Sequence, residues 1–195
     1  MKRLCSIVGV VSIALLLVMA PVSANADLFS VYALANSSSG GAGLDTGIFL
    51  SAGEMLTVSV DPNDLWNAGA LPRWSNADGL VGGLIATGSD ESGQAAGTLI
   101  GQNFGLLTQN SLSAPYGTLV GELSGTYFVL GTSFSGPAPA SGTLKLYYWD
   151  SNNSDNTGSL VASVNVNVSR VPEPATMLLF GLGLLGVAGI RRKVK

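Results

Sequence analysis

The chain has 195 residues, the size of one ordinary domain with short additions at its ends. Hydrophobic residues make up 47% of it and charged residues only 11%, which excludes a charge-rich disordered chain. Residues 27–170 hold three basic side chains against eleven acidic ones, a formal charge of −8 that repels phosphate backbones and excludes a nucleic-acid partner.

The N-terminus is typical of an export signal. Lys2-Arg3 form a positively charged start, an apolar run follows over 4–20, and Ala24-Asn25-Ala26 is a small-x-small motif that signal peptidase cuts. We therefore predict a signal helix within residues 1–26, cleavage after Ala26 and a mature chain that begins at Asp27. The alternative is an uncleaved membrane anchor.

Between the ends, short β-rich segments alternate with clusters of Gly, Ser, Asn, Asp and Pro. Seven strands are predicted, at 29–34, 47–50, 55–60, 118–123, 127–130, 143–149 and 160–168. No helical pattern separates them, which predicts one all-β domain over 27–170, an antiparallel β-sandwich. Residues 75–117 are rich in Gly and Ser and are predicted as long loops with one or two short strands. Long loops on a rigid sandwich often carry binding sites.

Missing residue types limit the chemistry of this domain. Histidine is absent and the single cysteine, Cys5, lies in the signal segment. Ser-His-Asp groups, Cys-His pairs, and thiolate or imidazole metal sites are therefore excluded, as are disulfides in the mature chain. Asp61 and Asp64, and likewise Asp90 and Glu91, are close in sequence, but adjacent loop acids are usually solvated turn residues. We expect a protein that is not an enzyme.

The segment from Trp149 to Gly158, WDSNNSDNTG, lies between two predicted strands. It offers carboxylate and amide oxygens together with backbone carbonyls, the oxygen ligands that Ca²⁺ prefers. It is not an EF-hand, because the flanking helices and the twelfth-position glutamate are missing. The alternative is an Asx-rich hairpin turn that holds no ion, and composition leaves both interpretations open.

Two stretches of the chain resemble the galactophilic lectin (LecA-type) family. The first runs from about 114 to 168, from APYGTLVGEL through APASGTL to Asp150 and the DNTG that precedes a Val-alternating strand. The second is the predicted strand 55–60 followed by Trp66 and a turn at 67–69. That family is a small jelly-roll-like β-sandwich that binds galactosides through a calcium ion, so the resemblance implies a calcium-dependent lectin-like domain.

The resemblance also implies a set of calcium ligands. These are the side chains of Asp150, Asp155 and Asn156, with Ser154 near the middle of the loop and a backbone carbonyl from around Ala68. The chain departs from the family in its shorter ion loop, in an expanded segment 78–113 and in lacking a counterpart of the family's sugar-contacting histidine. The resemblance therefore implies calcium more strongly than it implies galactose.

Three aromatic residues lie near the proposed loops and are predicted sugar contacts: Trp66, Trp74 and Tyr116. An aromatic ring at such a place can stack on the apolar face of a sugar. The alternative is that these residues belong to the core, which is the more frequent place for large rings.

The C-terminus combines three features. A Pro172-Glu173-Pro174 motif is followed by an apolar run at 175–190 and a basic end at 191–195. As a helix the sixteen apolar residues span about 24 Å, short of a hydrocarbon core near 30 Å, which suits a single, transient transmembrane helix. The basic end is expected to stay cytoplasmic, which places residues 27–170 outside. The alternative is a permanent anchor with a proline-rich stalk.

In this order the three features resemble the PEP-CTERM sorting signal, which would occupy residues 171–195. In that family the Pro-Glu-Pro motif is recognised by an exosortase, a membrane cysteine protease, and the proteins reach the surface or matrix of Gram-negative bacteria that make exopolysaccharide. The resemblance implies exosortase and signal peptidase as processing partners, passage through the inner membrane, and a cell-surface, outer-membrane or matrix location. We expect an exported protein with a calcium-dependent carbohydrate-binding domain, whose ligand is an exopolysaccharide or other glycan. The alternative is a structural surface or biofilm-matrix protein with no ligand.

Overall fold

A computed structural model describes residues 26–167, so the predicted signal helix, sorting motif and transmembrane helix lie outside the described residues. Within this range the chain forms strands, turns and bends, and no helix in it is long and apolar enough to cross a membrane. The strands are β1 (Asp27–Tyr32), β2 (Leu44–Leu50), β3 (Met55–Val60), β4 (Trp66–Asn67), β5 (Trp74–Ser75), β6 (Leu84–Ile85), β7 (Leu99–Gly101), β8 (Leu106–Gln109), β9 (Leu112–Pro115), β10 (Leu119–Leu123), β11 (Thr126–Val129), β12 (Ser133–Pro137), β13 (Gly142–Tyr148) and β14 (Thr157–Asn167).

Two main sheets form the body of the domain. The first has the order β12-β3-β14-β4-β5, with β1 also paired to β14, and the second has the order β11-β10-β13-β2. Strands β6–β7 and β8–β9 form two small hairpins beside them. The named strands pair antiparallel, which confirms the predicted all-β antiparallel architecture over the described residues.

The core lies between the inner faces of the two main sheets. On β13 the alternate residues Leu144, Leu146 and Tyr148 are fully buried, and β3 contributes Leu56 and Val58 in the same way. Burying one such aliphatic side chain contributes about 1.5–3 kcal/mol. A slip of one residue along a strand would move the whole buried set to the solvent face, so this alternation fixes the strand register.

Residues 75–117, predicted as long loops, contain more strand than expected. This segment holds two hairpins instead of one or two isolated strands. Each hairpin gains a small core of its own: Ile100 packs with Leu65 and Ala86, while Ala114 packs with Trp149 and Val120. These short apolar contacts hold the segment against the sandwich, next to the β13–β14 loop.

Candidate functional site

A small cleft of about 90 Å³ opens between the β4–β5 turn and the loop that joins β13 to β14. The turn contributes Ala68 and Arg73, and the loop contributes Asp150 and Asp155. The remaining wall is formed by Phe104, Tyr116, Ser151 and Asn152. The structure thus brings together three predicted ligand residues, Ala68, Asp150 and Asp155, that come from distant parts of the sequence.

Asp150 is the buried carboxylate of the cleft. It is 5% exposed, and its Oδ1 accepts a hydrogen bond from the Ser151 N–H at 2.8 Å. The Ser38 hydroxyl fixes its backbone, accepting from the Asp150 N–H and donating to the Asp150 carbonyl. Burial raises the pKa of Asp150 and the nearby Asp155 carboxylate acts in the same direction, while hydrogen bonds from Ser151 and Asn156 oppose them. A buried carboxylate of this kind gains from a cation placed beside it.

Asp155 is the second carboxylate, and it is partly open to solvent. Its side chain is 45% exposed, and its Oδ1 accepts a hydrogen bond from the Asn152 side chain at 3.3 Å. Gly69 lies against it with φ of +105°, and a Cβ added at Gly69 would come within 2.1 Å of Asp155 Oδ2. The turn therefore leaves room for this carboxylate only because residue 69 has no side chain.

Asn156 lies behind the cleft and is 3% exposed. Its Nδ2 donates to the Ala33 carbonyl at 3.3 Å, but its Oδ1 is buried and accepts no hydrogen bond from the described residues. The Oδ1 of Asn67, next to Ala68, is buried and unpartnered in the same way. Buried polar atoms without partners are uncommon, and a water or an ion beside them is one way in which they are satisfied.

Ser154 is placed differently from the other predicted ligands. It is exposed, and both its N–H and its hydroxyl donate to Asn152 Oδ1, at 3.3 and 3.0 Å. Ser154 does not line the cleft. Its side chain instead orients Asn152, whose amide group in turn contacts Asp155.

Arg73 was not predicted as a site residue. Its Nη1 donates to the Ala68 carbonyl at 3.4 Å and lies 3.9 Å from Asp155 Oδ2. Its guanidinium carbon lies 4.8 Å from the centre of the Phe104 ring, within cation–π range. Arg73 and Lys145 are the basic residues among the described positions, and this scarcity of positive charge is the feature of the sequence that could have drawn attention to Arg73.

The three predicted sugar contacts take different places. Trp66 is fully buried, donates from Nε1 to the Gly117 carbonyl at 2.8 Å and packs edge-on against Tyr148, so it has no ring face open to a sugar. Trp74 packs against the small cluster of Leu65 and Ile100, outside the cleft. Tyr116 lines the cleft and packs edge-on against Phe104, with ring centres 5.4 Å apart. Of the three, Tyr116 alone is positioned beside the carboxylates.

Acids outside the cleft serve as structural hydrogen-bond acceptors. Asp61 Oδ1 accepts from the Asn63 N–H within a turn, and Asp64 accepts from the N–H of Val161 on strand β14 at 3.4 Å. Asp90 accepts from the backbone and hydroxyl groups of Thr87 and Ser92, and these hydrogen bonds, the Ser92 hydroxyl first, lower its pKa to about 2. Such carboxylates are engaged by the turns that they stabilise.

The cleft offers a ligand set that suits a hard cation. Two carboxylates and residue Ala68 with its backbone carbonyl line it, and the unpartnered amide oxygen of Asn156 lies behind it; all are oxygen donors of the kind that Ca²⁺ takes. Among residues 26–167 no group of three or more His, Cys, Asp or Glu side chains is placed to hold a metal. A calcium ion in this cleft would therefore rely on neutral oxygens and water for most of its six to eight ligands.

The sequence also matches a known family at its C-terminal end. Residues 170–193 match the model of the PEP-CTERM protein-sorting motif. The chain carries a PEP-CTERM sorting tail. This confirms the predicted motif Pro172-Glu173-Pro174 and marks the chain as an exported protein of Gram-negative bacteria that an exosortase processes.

A solved structure is similar to the part of the chain that precedes the sorting tail. A solved structure described as the N-terminal domain of EclA, a PllA-like lectin, is 22% identical over 73% of this chain and 98% of its own, with a TM-score of 0.46. At that identity and score the likeness carries no argument about the ligand. A comparison with curated proteins finds no match.

Proposed function

We propose that this exported, exosortase-sorted protein holds a calcium ion in the cleft between the β4–β5 turn and the β13–β14 loop and binds carbohydrate there. The observation that carries the proposal is the meeting of Asp150, Asp155 and the Ala68 backbone at one cleft, backed by the unpartnered Oδ1 of Asn156. A bound calcium ion would supply open coordination positions for neighbouring hydroxyls of a sugar. Tyr116 and Phe104 would supply the apolar wall beside it.

The proposal includes the organisation and location of the chain. Residues 1–26 act as a cleaved signal peptide, 27–170 form the binding domain, and 171–195 form a sorting tail whose apolar helix spans the inner membrane. The domain then acts at the cell surface or in the extracellular matrix, and an exopolysaccharide present there is its proposed ligand. It performs no catalysis, in keeping with carboxylates outside the cleft that serve as turn acceptors.

A second candidate is a structural surface protein that binds nothing. The contacts of Arg73 favour it, because a guanidinium beside Asp155 and the Ala68 carbonyl already places a positive charge in the cleft. On this view the loop is a hairpin turn tied down by an internal ion pair. The two candidates differ in one measurable property, the response of the fold to calcium.

The deciding experiment is thermal unfolding of the purified chain with calcium and with a chelator. An ion that binds only the folded state stabilises it by roughly 2.7 kcal/mol at 100 times its dissociation constant. We expect that shift in the wild type and its loss in Asp155→Asn. Glu91→Gln is the matched control, since it removes one negative charge outside the cleft. A glycan array with and without calcium follows for the wild type.

The outcomes separate the candidates. A calcium shift that Asp155→Asn abolishes, together with calcium-dependent glycan binding, supports the full proposal. A calcium shift without glycan binding on the array supports a calcium-stabilised structural protein. Equal melting in calcium and chelator refutes the calcium site and leaves the structural candidate.

A further inference from the structure

Arg73 reaches into the cleft and touches two of the groups assigned to calcium. Its Nη1 donates to the Ala68 carbonyl at 3.4 Å and lies 3.9 Å from Asp155 Oδ2. The side chain of Arg73 is 36% exposed, and so it is held in the cleft without being locked there. A positively charged group thus occupies the position where a cation would be bound.

We propose that Arg73 is a built-in competitor for calcium, so that its guanidinium and the ion occupy the cleft in turn. This inference rests on the proposed function, because it concerns the same cleft. Arg73 sets the calcium affinity without being a calcium ligand.

The two occupants exclude each other for two reasons. Calcium binds oxygens at 2.3–2.6 Å, so an ion on the Ala68 carbonyl and the Asp155 carboxylate would take up the space in front of the two oxygens that Nη1 now faces. In addition, a divalent ion between Asp155 and Ala68 would lie within a few ångströms of the guanidinium, where two positive charges repel strongly in a partly buried site. Arg73 must therefore leave Asp155 before the ion can bind.

The structure provides a place for the displaced side chain. The side chain of Arg73 is 36% exposed, so its guanidinium can turn out of the cleft into solvent when the ion arrives. Phe104 is held by its own edge-on contact with Tyr116. The cation–π contact with Phe104, 4.8 Å from the guanidinium carbon to the ring centre, favours the return of Arg73 when the ion leaves.

Competition of this kind weakens the apparent affinity of the site. The observed dissociation constant equals the intrinsic one divided by the fraction of molecules in which the cleft is free. Calcium sites of extracellular modules work at about 10⁻⁴–10⁻³ M, far weaker than cytosolic buffers. Competition by Arg73 thus moves the apparent affinity of the cleft towards this weaker range.

The test is a calorimetric calcium titration of the full chain and its variants. We expect Arg73→Gln to bind calcium about tenfold more tightly than the wild type. This factor assumes that the cleft is free of Arg73 in about a tenth of wild-type molecules. Lys145→Gln removes the same charge from β13, outside the cleft, and should change the affinity by less than about twofold because solvent and salt screen it.

Two further variants keep the result interpretable. Arg73→Lys retains the charge but replaces the planar guanidinium that lies over Phe104 with a compact ammonium, and it should bind with intermediate affinity. It serves as the readout if Arg73→Gln fails to fold, which circular dichroism would show. In an Asp155→Asn background, Arg73→Gln should give little further gain, because the carboxylate for which the two cations compete has been removed.

Each outcome has a definite meaning. Tighter binding by Arg73→Gln or Arg73→Lys with unchanged binding by Lys145→Gln supports the competition, even if the wild type binds too weakly to measure. Equal or weaker binding by both Arg73 variants, while the wild type binds, overturns the competition and leaves the proposed function standing. No binding by the wild type or any variant overturns both.

Discussion

Gly69 provides the sharpest test of the cleft geometry, through the substitution Gly69→Ala. A Cβ at this position would lie 2.1 Å from Asp155 Oδ2 and 2.7 Å from its Cγ, and the backbone would hold an alanine at φ of +105°. The carboxylate is the end of a flexible side chain that is 45% exposed, so it can rotate into solvent at low cost. The loss of stability then comes mainly from the backbone and amounts to about 1–2 kcal/mol.

The effect on calcium should be larger than the effect on the fold. Rotation of Asp155 out of the cleft removes a charged ligand, for which we expect an affinity at least tenfold weaker. At a calcium concentration 100 times the wild-type dissociation constant, the stabilisation by calcium would fall from about 2.7 to about 1.4 kcal/mol or less. Thermal unfolding in calcium and in chelator measures both quantities on the same sample.

Gly53→Ala is the matched control. Gly53 lies in the β2–β3 turn with φ of +86°, and an added Cβ would meet nothing within 4 Å. This variant should lose a similar 1–2 kcal/mol, a fall in Tm of about 3–8 °C, while keeping the whole calcium effect. A Gly69→Ala variant that keeps the wild-type calcium shift would refute the close approach of Gly69 and Asp155 and the role of Asp155 as a ligand.

Three other predictions concern the core, an acidic turn and the tail. Trp66→Ala should lower the free energy of unfolding by about 3–5 kcal/mol, because Trp66 is fully buried and its Nε1 donates to the Gly117 carbonyl. A denaturant titration measures this change, and a loss below about 1 kcal/mol would contradict the core position of Trp66. The Asp90 carboxyl should titrate with a pKa of about 2 when followed by NMR. Its hydrogen bonds with Thr87 and Ser92 therefore stabilise the fold fully above the unfolded-state pKa, near 3.9, and this stabilisation is lost as the pH falls towards 2. A measured pKa near 3.9 in the folded protein would refute these hydrogen bonds. Glu173→Ala should prevent exosortase cleavage, visible as an unshifted band on an immunoblot, whereas continued cleavage would show that the motif is not the recognition site.

Strand prediction succeeded where one face of a strand is buried. The alternation in 55–60 marks β3 with its observed bounds, and β13 departs by one residue from the predicted 143–149. At β1 the predicted segment 29–34 begins and ends two residues late, because Ala33 and Leu34 are apolar but already belong to the following turn. β12, Ser133–Pro137, was not predicted, since its Ser, Gly and Pro residues are typical of a turn and it is ordered by pairing with β3.

The two carboxylates, Ala68 and Tyr116 were predicted as site residues, whereas Arg73 and Phe104 were not. Asp150 and Asp155 lie in one short loop between two evident strands, so their proximity follows from local sequence. Arg73 and Phe104 reach the same place through the β4–β5 turn and the expanded segment, and no periodicity links those positions to the loop. Trp66 was predicted as a sugar contact but is a core residue. Its ring is fully buried, and its N–H is satisfied there by the Gly117 carbonyl.

Strand β14 joins the cleft directly to the C-terminal end of the domain. It begins at Thr157, two positions after Asp155, turns at Gly158, where φ is +86°, and continues to Asn167, a few residues before the matched sorting motif. A pull between a glycan held in the cleft and a tail held in the membrane would run along this strand, whose nine residues after Gly158 span roughly 30 Å at about 3.3 Å per residue. The ladders to β1 and β3 cover those residues, so the load would be shared among many backbone hydrogen bonds before the domain unravels.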